Sequence, residues 1–578
     1  MRDPLSDVIQ RRALPEVMPE LGEIHPVLKR LYAARRVRSA QELQYGLKNL
    51  LPYQKLKGID AAVTLLANAV QQQQKVLIIG DFDADGATST TLAVQALRMF
   101  GLASVEYLVP NRFEYGYGLT PEIVAVAIDR QPDLIVTVDN GISSLQGVEA
   151  ARQAGIQVLI TDHHLAGETL PAASAIVNPN QPGCAFPSKA LPGVGVIFYV
   201  MLALRACLRD SGWFARHDIP EPNLAVLLDL VALGTVADVV PLDYNNRILI
   251  AQGMARICAG QTRPGIRALL EIAGRDPARV VTTDLGFFVA PRINAAGRLD
   301  EMSLGIECLL SEERDRAEEL ARQLDQLNRE RRGIEDHMKQ QAQTLLDDMQ
   351  LEDELPVGLC LYEEDWHEGV VGIVASRLKD RLHRPVIAFA RTARGEIKGS
   401  ARSVKGVHIR DVLDALAAQH PQLISRFGGH AMAAGLSLPE ENYAAFTAAF
   451  DREVRRHLSE ADLHGVMISD GELPADEIGL ELAELIRAGG PWGQTFEEPL
   501  FDGRFEVVNR RIVGEKHLKL LLRTAHSERL LDAIAFHTTD AGWPPVLKGI
   551  EAVYQLEVNE FRGQRNVQLV IQHLRPLQ

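Results

Sequence analysis

The sequence predicts an α/β protein that consists of a doubly wound parallel-sheet domain, a long connecting helix, a second α/β domain and a small β-barrel at the carboxyl end. Three patterns predict this order. Strands alternate with helices from residue 61 to 180, a charged stretch keeps helical spacing from residue 312 to 348, and short runs of alternating apolar residues follow residue 466. Alternating strands and helices indicate a parallel sheet covered by helices, whereas closely spaced short strands are typical of a barrel.

The first α/β domain occupies the amino-terminal half of the chain. Residues 1–60 mix proline, charge and short apolar stretches, and we interpret them as an extension packed on that domain. We assign residues 61–310 to the domain itself, which turns mostly helical after residue 193. Gly193-Val194-Gly195 follows Leu191-Pro192 rather than a strand and has no third glycine, so it indicates a helix start and not a dinucleotide site.

The remaining elements follow in order. Residues 311–350 are predicted to form the connecting helix, because no proline interrupts the helical spacing of Leu320, Leu324, Leu327, Ile334 and Met338. A second strand and helix pattern fills residues 351–462. Residues 466–578 are predicted to form the barrel, with alternating runs at 504–508, 518–522, 552–558 and 566–571.

Composition indicates a cytoplasmic protein without a membrane segment. The 578 residues are enough for roughly four domains. The five cysteines are scattered and odd in number, as expected for thiols in a reducing compartment, and the amino terminus has no apolar stretch that could direct secretion. The net charge of −15 argues against a protein that coats nucleic acid nonspecifically, but it does not exclude a local basic groove.

Metal-binding side chains follow three predicted strands. Residues 76–80 run into Asp81, Asp83 and Asp85, residues 134–138 run into Asp139, and residues 158–161 run into Asp162, His163 and His164. Parallel strands open their crevice at their carboxyl ends, so these side chains should converge. Carboxylates and imidazoles gathered in this way would repel one another unless divalent cations neutralised them.

The kind of metal follows from the ligands. Carboxylate oxygens favour Mg²⁺ or Mn²⁺, and the histidines shift the preference toward Mn²⁺. For one Asp-x-Asp turn alone, helix capping would be the better interpretation. Asp139 and the histidines on neighbouring strand ends make capping a poor account of the whole set. Asp238, at the end of Gly-Thr-Val-Ala-Asp, could by itself merely cap a helix.

These motifs resemble the DHH phosphoesterase superfamily, whose motif stands here as Asp162-His163-His164. Residues 291–298 (PRINAAGR), 366–372 (WHEGVVG) and 428–430 (GGH) resemble its RecJ branch in particular, and the resemblance runs from about residue 40 to the end. It implies a DHH domain, a DHHA1-type second domain and an OB-like barrel.

The resemblance also implies roles for the residues that bind metal. Two cations would be held by Asp83, Asp85, Asp139, His163 and Asp238, with Asp139 as the bridge. Asp81 matches a position near the metals that is not always a ligand, and His164 either binds metal or contacts the phosphate. Asp162 would orient the histidines.

Candidate substrate-binding residues lie in both α/β domains. Arg112 and Tyr117 follow a strand at the metal-binding edge and could grip phosphate and stack on a base, although a surface loop is as good an interpretation. Arg298 lies in a turn of small residues, which favours a phosphate contact over a structural ion pair. Ser400 and Arg402, together with Gly429 and His430, resemble the substrate-binding lobe that accompanies DHH domains. By that resemblance, Ser400 and Arg402 would capture a terminal 5′ phosphate. His367 and Arg377 would line the same groove, with helix capping and ion pairing as the alternatives.

The barrel carries basic residues that could contact a single strand: Arg510, Arg511, Lys516, His517, Lys519, Arg562 and Arg565, with Phe561 nearby. A merely solvated basic face is the alternative.

Together these features predict a metal-dependent 5′ to 3′ exonuclease that degrades single-stranded DNA to 5′ mononucleotides. The alternatives are a phosphodiesterase of short oligonucleotides or cyclic dinucleotides, and a DNA-binding scaffold without activity. The resemblance further implies a monomer that acts in recombination and mismatch repair beside a single-strand-binding protein and a RecQ-type helicase.

Overall fold

A computed structural model describes residues 8–111, 115, 118–352, 355–392, 395–463, 465–514, 517–525, 527–536, 538, 547–561 and 563–577, without the side chains of residues 350–352, 460, 461 and 561. The chain forms two compact units. The first unit contains Ala13–Asn328 and Glu484–Glu498. The second contains the described residues as far as Arg12, Arg329–Ala483 and the chain from Pro499.

The first unit is organised around a five-stranded parallel sheet. Its strands lie in the order Val105–Leu108, Val76–Gly80, Leu134–Val138, Gln157–Thr161 and Ala175–Val177. The central strands are fully buried, as expected for a parallel sheet that is covered on both faces.

Alternate side chains of the sheet enter two separate cores. Ile78 and Val136 pack in the core that includes the helices Ala84–Met99 and Gly193–Asp210. Ile79 and Ile135 face the opposite side. There they pack against residues of the helices Pro121–Ile128 and Leu145–Gln153. The predicted doubly wound sheet is therefore confirmed.

The helix Gly193–Asp210 confirms the predicted helix start at Gly193, and the other helices of the first unit complete its cores. Its α-helices outside the sheet crossovers named above are Pro26–Ala34, Ile59–Gln72, Trp213–Arg216, Leu228–Ala237, Tyr244–Cys258, Pro264–Ile272, Thr282–Asp284, Ala290–Leu299 and Ser303–Leu310. Short 3₁₀ turns are Ala40–Leu43, Leu47–Asn49, Tyr53–Lys55, Leu224–Leu227 and Pro277–Arg279, and a π-helical turn spans Leu285–Val289.

A segment near the carboxyl end belongs to the first unit and not to the barrel region in which the sequence places it. Trp492 and Phe496 stack with ring centroids 5.1 Å apart, and Tyr32 stacks on both. Thr282 Oγ1 donates a hydrogen bond to Trp492 O over 2.7 Å. Aromatic burial against residues far along the chain leaves no periodic signal, which is why the sequence did not reveal it.

The connecting helix is confirmed, with bounds Arg314–Glu352 instead of 311–350. Leu320 and Leu324 are buried in the core of the first unit, whereas Met338 is buried in a core of the second. At about 1.5 Å per residue, 39 residues span nearly 60 Å.

The second α/β region has a mixed sheet. Its strands lie in the order Arg426–Gly429, Ala433–Pro439, Glu396–Arg402, Val386–Arg391 and Leu359–Tyr362, and the last two are parallel while the other pairs are antiparallel. The helices are Val371–Leu382, Ile409–Gln419 and Tyr443–Val454, with 3₁₀ turns at Glu440–Asn442 and Glu460–Leu463. The helix Leu480–Ala488 follows this region.

Five strands close into the predicted barrel. Their order around the ring is Phe501–Val513, His517–Arg523, Leu530–Ala535, Gln564–Pro576 and Gly549–Phe561. The first and last strands of that order pair with each other, from Phe501 opposite Tyr554 to Glu506 opposite Gly549. This five-stranded ring agrees with an OB-like domain.

The amino-terminal strand corrects one expectation. Val8–Arg11 pairs in parallel with Val466–Ser469 of the second unit, whereas the sequence suggested that the whole extension packs on the first domain. Arg11 also forms an ion pair with Asp502, with Nη2 and Oδ2 2.6 Å apart. A four-residue strand whose partner lies some 450 residues away has no local signature. Within the described residues, no helix combines the length and apolar character needed to cross a bilayer.

Candidate metal centre and anion site

The predicted metal ligands meet at the carboxyl edge of the parallel sheet. Gly80 pairs with Val138, and Val138 pairs with Thr161, so the three strands end at the same level. Asp81, Asp139 and Asp162 are the next residue in each case. The loop Asp81–Asp85 is called the acidic loop below, and Asp162–His164 the histidine loop.

Three overlapping groups of ligand atoms form at this edge. Within each group, one donor atom per residue lies within 4.8 Å of the others. The groups are Asp81, Asp83 and Asp139; Asp139, His163 and His164; and Asp85, His163 and Asp238. Asp139 and His163 each belong to two groups. A carboxylate has two oxygens with which it can serve two cations, whereas an imidazole nitrogen binds only one.

Asp85 is buried and is held by the start of a helix. Gly193 N donates to Asp85 Oδ2 over 2.7 Å, and Val194 N donates to Oδ1 over 3.0 Å. Burial, together with the charge of Asp83, still raises the pKa of Asp85 to about 7. Gly193 is a residue that sequence reasoning missed: a Cβ there would lie 2.5 Å from Asp139 Oδ1, so only glycine lets the backbone come this close. The Leu-Pro-Gly-Val-Gly pattern was the available signal.

Asp139 occupies an unusual backbone conformation. Its φ is 62°, in the left-handed region, and its amide donates to Thr161 O over 3.0 Å. Burial and the neighbouring charges of Asp85, Asp83 and Asp81 raise the pKa of Asp139 well above its ordinary value. The pKa of Asp238 is raised for the same reasons, burial first. Because the charged forms of these carboxylates are disfavoured, a bound divalent cation would stabilise them strongly.

His163 points a neutral nitrogen at these carboxylates. Burial, with the charge of His164, lowers the pKa of His163 to about 4. Its Nε2 lies 3.1 Å from Asp139 Oδ1 and 3.5 Å from Asp238 Oδ2. His163 Nε2 and Asp238 Oδ2 are buried and make no hydrogen bond with any described residue. A lone pair and a carboxylate oxygen left in this state fit a divalent cation.

Asp162 orients the histidine loop. Its Oδ1 accepts hydrogen bonds from His163 N over 2.7 Å and His164 N over 3.1 Å, and its Oδ2 accepts from Ile142 N over 2.8 Å. Burial alone would lower the pKa of His164, but the hydrogen bond of its Nδ1 to Asp162 Oδ1, 2.8 Å long, and the charge of Asp162 raise that pKa to about 9. These contacts engage both oxygens of Asp162, and Asp162 belongs to none of the three groups of ligand atoms described above.

The helix Ala290–Leu299 holds the acidic loop in place. Asn294 Oδ1 accepts a hydrogen bond from Ala84 N over 2.8 Å. A Cβ on Gly297 would lie 1.9 Å from Phe82 O, so the helix touches the loop backbone at this glycine. Arg298 lies half-buried on this helix and not in the turn that the sequence suggested, and its phosphate contact stays a prediction. Arg112 and Tyr117 lie outside the described residues.

A second cluster of predicted residues lies on the sheet of the second unit. Arg402 Nη1 donates to Ser400 Oγ over 3.0 Å and to Ala401 O over 2.8 Å. Burial lowers the pKa of Arg402, and within the described part of the chain no carboxylate forms an ion pair with it. Gly372 leaves room beside them, since a Cβ there would lie 2.9 Å from Ser400 Oγ. A partly buried guanidinium without an acid partner is suited to an anionic ligand.

The remaining predicted contacts are less distinctive. His367 Nδ1 accepts a hydrogen bond from Gly369 N over 3.0 Å, as in the capping alternative. Arg377 Nε lies 3.6 Å from Glu335 Oε1 on the connecting helix, as in the pairing alternative. Gly429 has a φ of 149°, and His430 follows it on an exposed turn. The roles of these four in substrate binding stay predictions.

Some basic residues of the barrel are already paired. Lys519 Nζ lies 2.6 Å from Asp532 Oδ2, and Arg565 Nε lies 3.1 Å from Glu560 Oε1. Lys516 and Arg562 fall outside the described residues, and so does the side chain of Phe561. Arg511 is exposed, and among the residues that the structure describes it forms no ion pair with an acid.

Comparison with known proteins agrees with this arrangement. Family models match three stretches of the chain: the N-terminal domain of the DHH family over residues 75–235, the DHHA1 domain over residues 356–456, and the RecJ OB domain over residues 469–573. The single-stranded-DNA-specific exonuclease RecJ of Dickeya dadantii is 56% identical over 573 residues, which cover 99% of this chain and 100% of that protein.

Two solved structures of RecJ from Thermus thermophilus are also similar. The complex with Mn²⁺ gives a TM-score of 0.80 at 30% identity and covers 100% of this chain and 80% of that one. The complex with Mg²⁺ gives a TM-score of 0.74 at 29% identity, with coverage of 100% and 79%.

Proposed function

Because the chain belongs to the RecJ family, we propose that it is a metal-dependent exonuclease that degrades single-stranded DNA. The observation that carries this proposal is the convergence of Asp81, Asp83, Asp85, Asp139, His163, His164 and Asp238 at one edge of the sheet. The relatives named as single-stranded-DNA-specific exonucleases, and the relative in complex with Mn²⁺ or Mg²⁺, support it.

Five residues would hold two Mn²⁺ or Mg²⁺ ions: Asp83, Asp85, Asp139, His163 and Asp238. Asp139 is the expected bridge, because its carboxylate belongs to two of the three ligand groups. Ions seated there would polarise the scissile phosphate, favour ionisation of the attacking water and stabilise the departing 3′ oxygen. The protein contributes the neutral imidazole of His163 and the fixed carboxylates, so no separate general base is needed.

The test of the proposed activity uses a single strand that carries a 5′ phosphate. The chain should shorten it in Mn²⁺ and stop when a chelator is added, and a blunt duplex of the same sequence should survive. D139N keeps the size of the side chain and suits a left-handed φ, yet it removes the bridging charge. We expect D139N to abolish cleavage while it still binds the strand. Cleavage at the normal rate by D139N would refute the assignment.

We further propose that digestion runs 5′ to 3′ and releases 5′ mononucleotides. Ser400 and Arg402 support this direction, because a partly buried cation beside a hydroxyl suits a terminal phosphate. R402Q should raise the KM for a 5′-phosphorylated strand by about 10- to 100-fold, the loss expected for charged hydrogen bonds worth about 1.5–3 kcal/mol. The KM for a strand with a 5′ hydroxyl should change little in R402Q.

The control for this test is R426Q, which removes an exposed arginine from the same sheet. Equal effects of R402Q and R426Q would argue against a phosphate site at Arg402. A single strand labelled at its 3′ end should shorten gradually as mononucleotides are released from its 5′ end. Early release of the 3′ label would contradict the direction.

We also propose a role in recombination and mismatch repair, beside a single-strand-binding protein and a RecQ-type helicase. The family supports this role. A blunt duplex that resists the chain alone should be degraded once these two proteins are added, and a lack of stimulation would argue against the partnership. If instead a tetranucleotide were cleaved far better than a long strand, the chain would be a phosphodiesterase of short substrates.

A further inference from the structure

We propose that Asn180, assisted by Asn178, is a positioning residue that fixes the metal-binding histidines through their backbone carbonyls. The inference deepens the proposed function, because it rests on His163 being a metal ligand. Sequence reasoning gave no role to either asparagine.

The two asparagines leave the sheet directly beside the histidine loop. They follow the strand Ala175–Val177, which pairs in parallel with Gln157–Thr161, and Val177 lies opposite Thr161. Asp162 N donates to Val177 O over 3.1 Å, so the ladder continues one residue beyond the strand end. The two loops therefore start in register, and side chains of one can reach the backbone of the other.

Each asparagine grips one histidine. Asn180 Nδ2 donates to His163 O over 2.6 Å, and Asn178 Nδ2 donates to His164 O over 2.9 Å. Asn178 Oδ1 also accepts from Asn180 N over 2.6 Å, which joins the two asparagines in a single turn. Asn178 is fully buried, so its hydrogen bonds are not shared with bulk water.

The asparagine turn is itself anchored from one side. Lys189 Nζ donates to Pro179 O over 2.6 Å, and Asn180 Nδ2 makes a second hydrogen bond, to Lys189 O, over 3.1 Å. Because the turn is anchored, its hydrogen bonds can restrain the backbone of His163 and His164. A mobile turn would not restrain the histidines.

His163 depends on the hydrogen bond from its asparagine more than His164 does. The ring of His164 is fixed by its hydrogen bond to Asp162. The ring of His163 makes no hydrogen bond with any described residue, although histidine ligands usually donate their second nitrogen to an acceptor that sets their orientation. The position of His163 Nε2 near Asp139 and Asp238 is thus set by its backbone, which Asn180 holds, and by packing against the His164 ring, whose centroid lies 4.4 Å away.

The test is N180D, which preserves shape, removes both donors and places an oxygen against the His163 carbonyl. Protein stripped with a chelator is titrated with Mn²⁺ in a calorimeter. We expect N180D to bind Mn²⁺ about 10- to 100-fold more weakly, the usual loss when a residue that supports a metal ligand is removed. At a fixed Mn²⁺ concentration kcat should fall, the KM for the strand should stay the same, and excess Mn²⁺ should recover the rate.

The matched control is Q181E, on the next residue of the same loop. Gln181 Nε2 also donates to two carbonyls, those of Lys57 and Ile176, each over 3.0 Å, but to neither histidine. Q181E should leave Mn²⁺ affinity within a few fold of the wild type. N180A serves as a second variant if N180D does not fold, and it should weaken Mn²⁺ binding in the same direction.

Unchanged Mn²⁺ affinity in N180D and N180A would overturn the inference. An equal loss of Mn²⁺ affinity in Q181E would overturn it too, because the effect would then come from the loop as a whole and not from the contact with His163. A wild-type chain that binds no Mn²⁺ would count against the proposed function instead, so the two failures can be told apart.

Discussion

At the scale of single residues, the metal centre depends on close backbone approach as much as on its carboxylates. Asp85 is held by the amides of Gly193 and Val194, and the acidic loop is touched by Asn294 and Gly297. None of these four supporting residues is itself a proposed metal ligand. They set the positions from which the ligands converge.

Gly193→Ala should damage the metal centre specifically. A Cβ at residue 193 would lie 2.5 Å from Asp139 Oδ1 and 2.6 Å from Asp139 Cβ, so the Asp139 carboxylate must move. We expect Mn²⁺ affinity to fall about 10- to 100-fold, as for other disturbances of ligand support. Calorimetric titration with Mn²⁺ measures it.

The control for that variant is Gly195→Ala, in the same helical turn. Its Cβ would meet Leu191 Cδ1 at 2.5 Å and Leu191 Cγ at 2.9 Å, so the crowding falls on an apolar core side chain and not on a carboxylate of the metal centre. G195A should therefore bind Mn²⁺ almost normally. If both variants lost affinity equally, the close approach of Gly193 to Asp139 would not be the cause.

The titrating groups of the centre predict a pH dependence of stability. In metal-free protein the pKa of Asp85 is about 7, and those of Asp139 and Asp238 are also raised, against about 3.9 in an unfolded chain. Between these values the folded state binds more protons than the unfolded state, so its stability falls as the pH rises. His164, with a pKa of about 9, adds to this fall above about pH 6.5, and His163 opposes it below that pH.

Bound Mn²⁺ requires ionised carboxylates, so it should reverse this trend. The measurement is the Tm in chelator and in Mn²⁺ across the range from about pH 5 to about pH 8. The difference between the two curves isolates the centre from other titrating groups, and we expect the gain from Mn²⁺ to grow with pH. A gain that stays constant or shrinks would contradict the ligand assignment.

The sequence predicted the convergence of the acids and histidines of this site far better than it predicted the residues that support them. Acids and histidines directly after buried strands are local patterns, and the topology of a parallel sheet then brings them together. Asn180 contacts the backbone of His163, and Gly193 contacts the carboxylates of Asp85 and Asp139. These partners lie elsewhere in the chain, so the sequence around Asn180 and Gly193 does not identify them. The family motif that contains Asn294 was visible, but not its contact with Ala84 N.

At the scale of elements, the connecting helix contains an interior glycine, a residue that disfavours helix. Gly333 lies in the interior of Arg314–Glu352, it is exposed, and a Cβ there would meet no atom within 4 Å. Gly333→Ala should raise the free energy of unfolding by about 0.5–1 kcal/mol, because alanine restricts the unfolded chain and favours helix. Thermal melting measures it.

Gly358→Ala is the contrasting variant in the same unit. Its Cβ would lie 3.0 Å from ring atoms of Phe450 and 2.9 Å from Val454 Cγ2, so crowding should lower the Tm. A lower Tm in G333A as well would show that the glycine is needed in the helix.

Elements with a strong internal period were predictable, and elements defined by a distant partner were not. The connecting helix was placed within a few residues, since its apolar spacing persists over ten turns. The strand Val8–Arg11 and the segment around Trp492 and Phe496 are short and owe their places to residues hundreds of positions away. Tertiary packing decides such cases.

At the scale of the whole molecule, a net charge of −15 must be reconciled with a nucleic-acid substrate. Several basic side chains of the barrel are neutralised by neighbours: Arg523 lies 2.8 Å from Glu506 and 3.1 Å from Glu528, and Lys519 is paired with Asp532. Arg511 differs, since it is exposed and stands opposite Lys519 on the adjacent strand. Local potential, and not net charge, should therefore govern binding.

Arg511→Gln should weaken binding of a long single strand, and it should lower the slope of log affinity against log salt by about one, the value for one lost phosphate contact. Cleavage of a tetranucleotide should change little, because so short a substrate does not need a separate binding domain. Affinity measured at several salt concentrations tests the slope. Arg523→Gln removes the same charge from the same barrel, but from a side chain already paired with two acids, so its slope should match the wild type. Identical slopes for all three proteins would mean that the barrel does not bind the strand through Arg511.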